Sequence, residues 1–187
     1  MTTVLNLDVL TQGLTREQFV RLCDSNPDLR LERSPQGELV IMSPVGGESG
    51  NREATLITKV GLWNEQAQLG LVFSSSTVFS LPQGGDRSPD VAWVAKSRWL
   101  ALSPADREAF PPLCPDFVIE LRSRSDRLPP LQAKMEEYLA SGLRLGWLIN
   151  PQDQQVEIYR PHQLPQVCAL PAWLSGEEVL PGFELAL

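Results

Sequence analysis

The segment Cys114-Pro-Asp-Phe-Val-Ile-Glu-Leu-Arg-Ser-Arg-Ser-Asp126 decides how the rest of the chain is read. Phe117, Val118 and Ile119 form the continuous branched and aromatic run typical of a strand buried on both faces. Glu120 follows directly and Arg122 comes two residues later, so strand alternation puts both on one face. A carboxylate and a cation at the end of a buried strand are costly to desolvate unless they are paired or bound to a metal or an anion. That makes this strand end the first candidate for chemistry. The next helix carries Leu131, Met135, Tyr138 and Leu139 on one face, with Lys134 at its border and Gly142 as the stop signal.

Upstream, Arg87-Ser-Pro89-Asp90-Val-Ala-Trp-Val94 starts another strand, with proline at its mouth, where a missing N–H does least harm. Asp90 therefore sits at a strand's beginning. Further back, Leu71 to Phe79 reads as one strand with an irregular middle, and about Asn51 to Gln68 as a long helix. Leu29–Glu32 and Glu38–Met42 read as a hairpin flanking the main sheet, joined by Ser34-Pro-Gln-Gly37. Thr15 with Gln18 predicts a capped helix at the N-terminal side. Lys96 to Pro112 is a helical or looping excursion with Ser103 as a cap. Leu145–Ile149 and Gln155–Tyr159 form a second hairpin, and Phe183–Leu187 a further edge strand. The expected fold is α/β, more closely an α+β arrangement: a central mixed sheet flanked by helices, with an N-terminal helix and β-hairpin, as a single domain over residues 1–187.

Composition narrows the function classes. With 42% hydrophobic and 21% charged residues, 187 residues are enough to bury a proper core. No segment reads as an export signal or a membrane span, so the default compartment is cytoplasmic. Cys23, Cys114 and Cys168 lack disulfide or zinc spacing and read as reduced packing residues. A net charge of -7 excludes a general nucleic-acid coat but not a local basic cleft.

Three residues then carry the chemistry: Asp90 at one strand start, Glu120 at another strand's end, and Lys134 on the following helix. Two converging carboxylates suit Mg²⁺ or Mn²⁺, which keeps waters and phosphate oxygens as its other ligands. The layout resembles the PD-(D/E)XK nuclease superfamily, and more narrowly a large family of restriction-endonuclease-like bacterial proteins numerous in cyanobacteria. The resemblance runs from Gly46-Gly-Glu-Ser-Gly50 through Arg87-Ser-Pro-Asp90, Phe117 to Asp126, Lys134, Tyr138 and Gly142 to Gly146-Trp-Leu-Ile149. It implies a restriction-endonuclease-like core and a metal-dependent DNA endonuclease; a chain this small needs a second copy to cut both strands, so a homodimer is expected. Asp90 and Glu120 would be metal ligands, Glu48 an accessory ligand, and Lys134 the residue that orients water or stabilises charge. Arg122 stands where the superfamily motif has lysine; it cannot act as a base but can grip a phosphate, with Arg124 and Arg127 beside it as substrate contacts.

Each residue also has a plainer reading. Asp90 suits a turn or cap, and Glu120 with Arg122 or Lys134 a buried structural ion pair. Glu48 suits a helix N-terminus, and the arginines a solvated loop. Trp63, Trp93 and Trp147 are core residues first. The competing functions are a catalytically silent nuclease fold that binds nucleic acid or a protein partner, and a small phosphoester hydrolase.

Overall fold

A computed structural model describes residues 13–187; the N-terminal stretch read above for an export signal lies outside them. Thr15 and Gln18 close the expected capping box on α1 (Arg16–Ser25), with Thr15 Oγ1 accepting from the Gln18 N–H at 3.2 Å. The first hairpin is β1 (Leu31–Arg33) and β2 (Leu39–Ile41). It is followed by α2 (Gly47–Ala67), which starts four residues before the predicted helix. Then come β3 (Gly70–Ser74), β4 (Phe79–Ser80), β5 (Asp86–Arg87) and β6 (Val91–Ala95). The excursion resolves into α3 (Lys96–Ala101) and α4 (Pro104–Glu108), and Ser103 caps the second of these. The central run is β7 (Phe117–Leu121), linked by α5 (Leu128–Ala140) to β8 (Leu145–Asn150) and β9 (Gln155–Tyr159). The tail adds β10 (Gln166–Ala169), β11 (Trp173–Ser175) and β12 (Glu184–Ala186).

The main sheet has the order β10-β9-β8-β7-β6-β3 and is mixed: β7 and β8 are parallel, the other neighbours antiparallel. A parallel pair needs a crossover, which α5 supplies. Alternation along β7 divides the core between two faces. Phe117, Ile119 and Leu121 pack with Leu56 and Val60 of α2 and with the tail, where Phe183 stacks on Trp147. Val118 packs on the opposite face with Met135 and Tyr138 of α5. Each of these buried side chains stabilises the fold by up to about 1.5–3 kcal/mol through removal of apolar surface from water. Gly146 matters for the height of α5 over the sheet: a Cβ there would lie 2.5 Å from Met135 Cε and 2.8 Å from Leu143 Cδ2. Its absence lets the helix sit close enough for Lys134 to reach the end of β7.

Three expectations change. The first hairpin is not a flank of the main sheet but part of a separate sheet, β2-β1-β5-β4. A buried ion pair holds that sheet together: Arg33 Nε donates to Asp86 Oδ2 at 2.7 Å, and Ser80 Oγ donates to the other oxygen at 2.6 Å. For the same reason Leu71–Phe79 is two strands, since Phe79 and Ser80 pair with β5. The run read as one strand from Arg87 to Val94 also divides, Arg87 ending β5 of the small sheet and Val91 opening β6 of the main one, while the expected C-terminal edge strand is β12, paired with β11 in a two-stranded sheet of its own. Among the described residues no helix is long and apolar enough to cross a membrane.

Candidate functional site

Register brings the two carboxylates together. Strand β6 runs antiparallel to β7 with Val91 opposite Ile119, so Asp90, one residue before Val91, lies beside Glu120, one residue after Ile119. Asp90 Oδ2 accepts the Leu121 N–H at 2.6 Å, which anchors the side chain across the strand end. Glu120 lies on the same face as Val118, under α5. There its Oε1 accepts from Tyr138 Oη at 2.9 Å and from Lys134 Nζ at 2.8 Å.

Lys134 does not stop at the border of its helix face. Its ammonium is buried and also donates to Glu32 Oε1 at 2.8 Å. Glu32 comes from the middle of β1 and is itself 2% exposed. It also accepts the Ser88 N–H at 2.9 Å and pairs with Arg87 Nη1 at 3.1 Å. Arg87 in turn pairs with Glu137 Oε2 at 2.6 Å. The cluster thus joins β1, the residues leading into β6, the end of β7 and one face of α5.

Burial and charge set the protonation pattern. Burial, then the neighbouring Glu120 charge, push the Asp90 carboxyl up to about 8, with Glu53 adding to the effect and Lys134 opposing it. Burial also raises Glu120, against the pull of Lys134. Glu32 goes the other way: burial alone would raise it, but Lys134 and Arg87 together hold it below the ordinary carboxylate value. Burial disfavours the Lys134 cation, yet the two carboxylates overcome that and raise it above the usual lysine range. Lys134 is therefore a fixed cation near neutrality and not a proton acceptor.

Asp90, Glu120, Lys134 and Glu32 line the floor of one cleft of about 990 Å³, with Val40 and Met42 of the β2 region on its wall. Arg127 also lines it and is exposed. Arg122 does not line it, which departs from the expected position beside Glu120. Regular strand geometry ends at Leu121, so alternation does not carry over to residue 122. Its guanidinium donates instead to Asn150 Oδ1 at the end of β8 and to Asp126 O in the β7–α5 loop, and forms an ion pair with Asp153 of the β8–β9 turn at 2.8 Å. Glu48 also lies away from the cleft floor: it sits in the first turn of α2 with its side chain 89% exposed. With Arg124 it borders a second, smaller cleft. The α2 carboxylate whose charge reaches Asp90 is Glu53, five residues on, which accepts from Ser75 Oγ.

Sequence reasoning missed Glu32, Glu53 and the pairing of Arg87 with Glu137. Glu32 alternates with Leu31 and Arg33 in a short hairpin strand, which is what an exposed strand looks like, and its partner lies 102 residues away. No local signal marked it.

Among the described residues no group of three or more His, Cys, Asp or Glu side chains is arranged as a metal cage. The donor set nevertheless fits Mg²⁺ or Mn²⁺, which bind through one or two carboxylates and retain waters or phosphate oxygens. Asp90 is consistent with that use, because a carboxyl pushed up to about 8 beside a second carboxylate is relieved by a cation.

A family model, Uma2, described as "putative restriction endonuclease", matches residues 16–187. Among solved structures, that of a "putative nuclease belonging to DUF820" from Anabaena variabilis is similar, with a TM-score of 0.79. The two are 19% identical, over 93% of this chain and 95% of that one, a likeness that shows the shared fold. No curated protein matches the sequence.

Proposed function

The chain belongs to the Uma2 family, and we propose that it is a divalent-metal-dependent endonuclease hydrolysing phosphodiester bonds in DNA. The observation that carries this reading is the meeting of Asp90, Glu120 and Lys134, from three separate elements, on the floor of one open cleft. A buried cation beside two carboxylates with raised pKa values suits phosphoryl chemistry, where catalysis is mostly positioning and charge stabilisation.

Asp90 and Glu120 would hold the ion. When bound, Mg²⁺ or Mn²⁺ supplies a water of lowered pKa and neutralises charge on the phosphate. Hydrolysis adds water across a P–O bond, and negative charge builds on the phosphoryl oxygens as it proceeds. Lys134 meets that charge. An ammonium has three N–H donors, two of them committed to Glu32 and Glu120, which leaves one for a phosphate oxygen in the cleft. Leu121 N–H keeps the Asp90 carboxylate aimed, and Tyr138 Oη does the same for Glu120. Arg127 at the cleft rim contacts the nucleic-acid backbone, with Arg124 near the second cleft extending the contact. Cutting both strands calls for two copies of so small a chain, and a homodimer is the simplest arrangement.

Calorimetric titration with Mn²⁺, with cleavage of a short DNA duplex measured alongside, tests the reading. Asp90→Ala and Glu120→Ala should each abolish binding and cleavage. Unchanged metal affinity in both variants would remove the site. Light scattering showing a monomer at micromolar concentration would remove the dimer.

A further inference from the structure

The geometry points to Glu32 as the positioning residue that keeps Lys134 in place when Glu120 turns to a divalent ion. The inference rests on the metal site proposed above and extends it to a strand outside the main sheet.

Lys134 Nζ lies 2.8 Å from Glu120 Oε1 and 2.8 Å from Glu32 Oε1. One of these carboxylates is needed for the metal, and the other is not available for it. Glu32 is closed off by its remaining partners, the Ser88 N–H on Oε1 and Arg87 on Oε2, so both of its oxygens are taken. Glu120 has one oxygen engaged by Tyr138 and Lys134 and a second with no hydrogen-bond partner among the described residues. A cation drawing on Glu120 weakens its hold on Lys134, because like charges then share one carboxylate. Without Glu32, the ammonium of a long, flexible side chain would be repelled from the cleft floor; with it, the ammonium stays in position for a phosphate oxygen. The same carboxylate ties Ser88 and Arg87, hence the approach to Asp90, to the small sheet. The buried Arg33–Asp86 pair ties the strands of that sheet to one another, so the second partner of Lys134 is anchored by contacts that do not involve the cleft's ligand.

The lysine side chains provide a direct readout. The chain has three lysines, and Lys59 and Lys96 are exposed. In ¹⁵N-lysine-labelled protein at neutral pH, Lys134 should give the single slowly exchanging ammonium resonance, with and without Mg²⁺. In Glu32→Gln the resonance should survive without metal, held by Glu120, and broaden into water exchange when Mg²⁺ is added. Persistence of the signal in the Mg²⁺-loaded variant overturns the inference, and so does its loss in the folded, metal-free variant. The Leu121 amide, bonded to Asp90, reports whether metal binds at all. No response of that amide to Mg²⁺ in the unaltered protein overturns the metal site itself, and the inference with it. A responsive amide with an unaltered Glu32→Gln ammonium signal removes only the role of Glu32. If Glu32→Gln does not fold, Glu32→Asp keeps the charge and withdraws the carboxylate by one methylene. Its Lys134 protons should exchange severalfold faster with Mg²⁺ than those of the unaltered protein, and equal exchange overturns the inference. In DNA cleavage, Glu32→Gln should lower kcat at least tenfold with little change in KM.

Discussion

Replacing Asp90 by asparagine should stabilise the metal-free protein, and the gain should grow with pH. Asparagine keeps an acceptor for the Leu121 N–H, which Asp90 now binds at 2.6 Å, and removes only the titration. The Asp90 carboxyl is raised from its ordinary 3.8 to about 8. Between those values the unfolded chain has released the proton that the folded chain still holds, so stability falls as pH rises. The slope for this one group is about 1.36 kcal/mol per pH unit, and by pH 7 slightly more than three units have been crossed, a penalty of about 4 kcal/mol. Asp90 is closely surrounded yet retains some accessible surface, so residual solvent reduces the figure to roughly 2–4 kcal/mol. Urea unfolding of both proteins with chelator, at pH 5, 6, 7 and 8, isolates the group as a difference. The two should converge toward pH 4–5 and separate steadily up to pH 8. Added Mg²⁺ should then restore the unaltered protein at pH 8 while leaving Asp90→Asn unmoved. Parallel stability curves would refute the assignment of a raised, cation-seeking carboxyl to this position.

Lys134→Ala leaves the buried Glu32 and Glu120 without their shared cation and should cost about 3–5 kcal/mol in urea unfolding; a loss under 1 kcal/mol would mean the cluster is far wetter than its geometry. Gly70→Ala brings a Cβ to 2.3 Å from Val94 O and 2.4 Å from the Trp93 ring, so it should destabilise by about 1–3 kcal/mol, and an unchanged melting temperature would contradict the packing of β3 on β6. Arg122→Lys loses the fork to Asn150 and Asp153 and should lower stability by about 1 kcal/mol while leaving Mn²⁺ affinity intact; a large loss of metal affinity would return Arg122 to the site. For DNA, the inactive Asp90→Asn protein in Ca²⁺ should bind a short duplex with a log–log salt slope near -3 to -4, and Arg127→Ala should reduce that slope by about 0.9. A shallow slope insensitive to both Arg124→Ala and Arg127→Ala would argue against a nucleic-acid backbone as ligand.

Local chemistry was enough to identify most elements and to single out two carboxylates, Asp90 and Glu120, that the fold brings together in the candidate site. A branched run ending in a glutamate marks β7 because burial and alternation act over a few residues, and proline before Asp90 marks a strand mouth for the same reason. The capping box of Thr15 and Gln18, the Ser103 cap, the glycine stop at Gly142 and the β8–β9 hairpin are equally local. Their order along the chain also carries the family resemblance, which the match over residues 16–187 supports. Which strands share a sheet was not local. The first hairpin joined β5 because Arg33 and Asp86, 53 residues apart, neutralise each other in the interior. Which basic residue lies beside Glu120 was likewise not local, because Arg122 follows it on the strand and Lys134 borders the next helix. Only the end of regular pairing at Leu121, and the close approach of α5 over Gly146, turn Arg122 to the hairpin and bring Lys134 onto Glu120. Glu32 is the clearest case. In the chain it is one more charge in a short amphipathic strand, and it becomes part of the site only because a buried ammonium needs two carboxylates and the folded small sheet supplies the second.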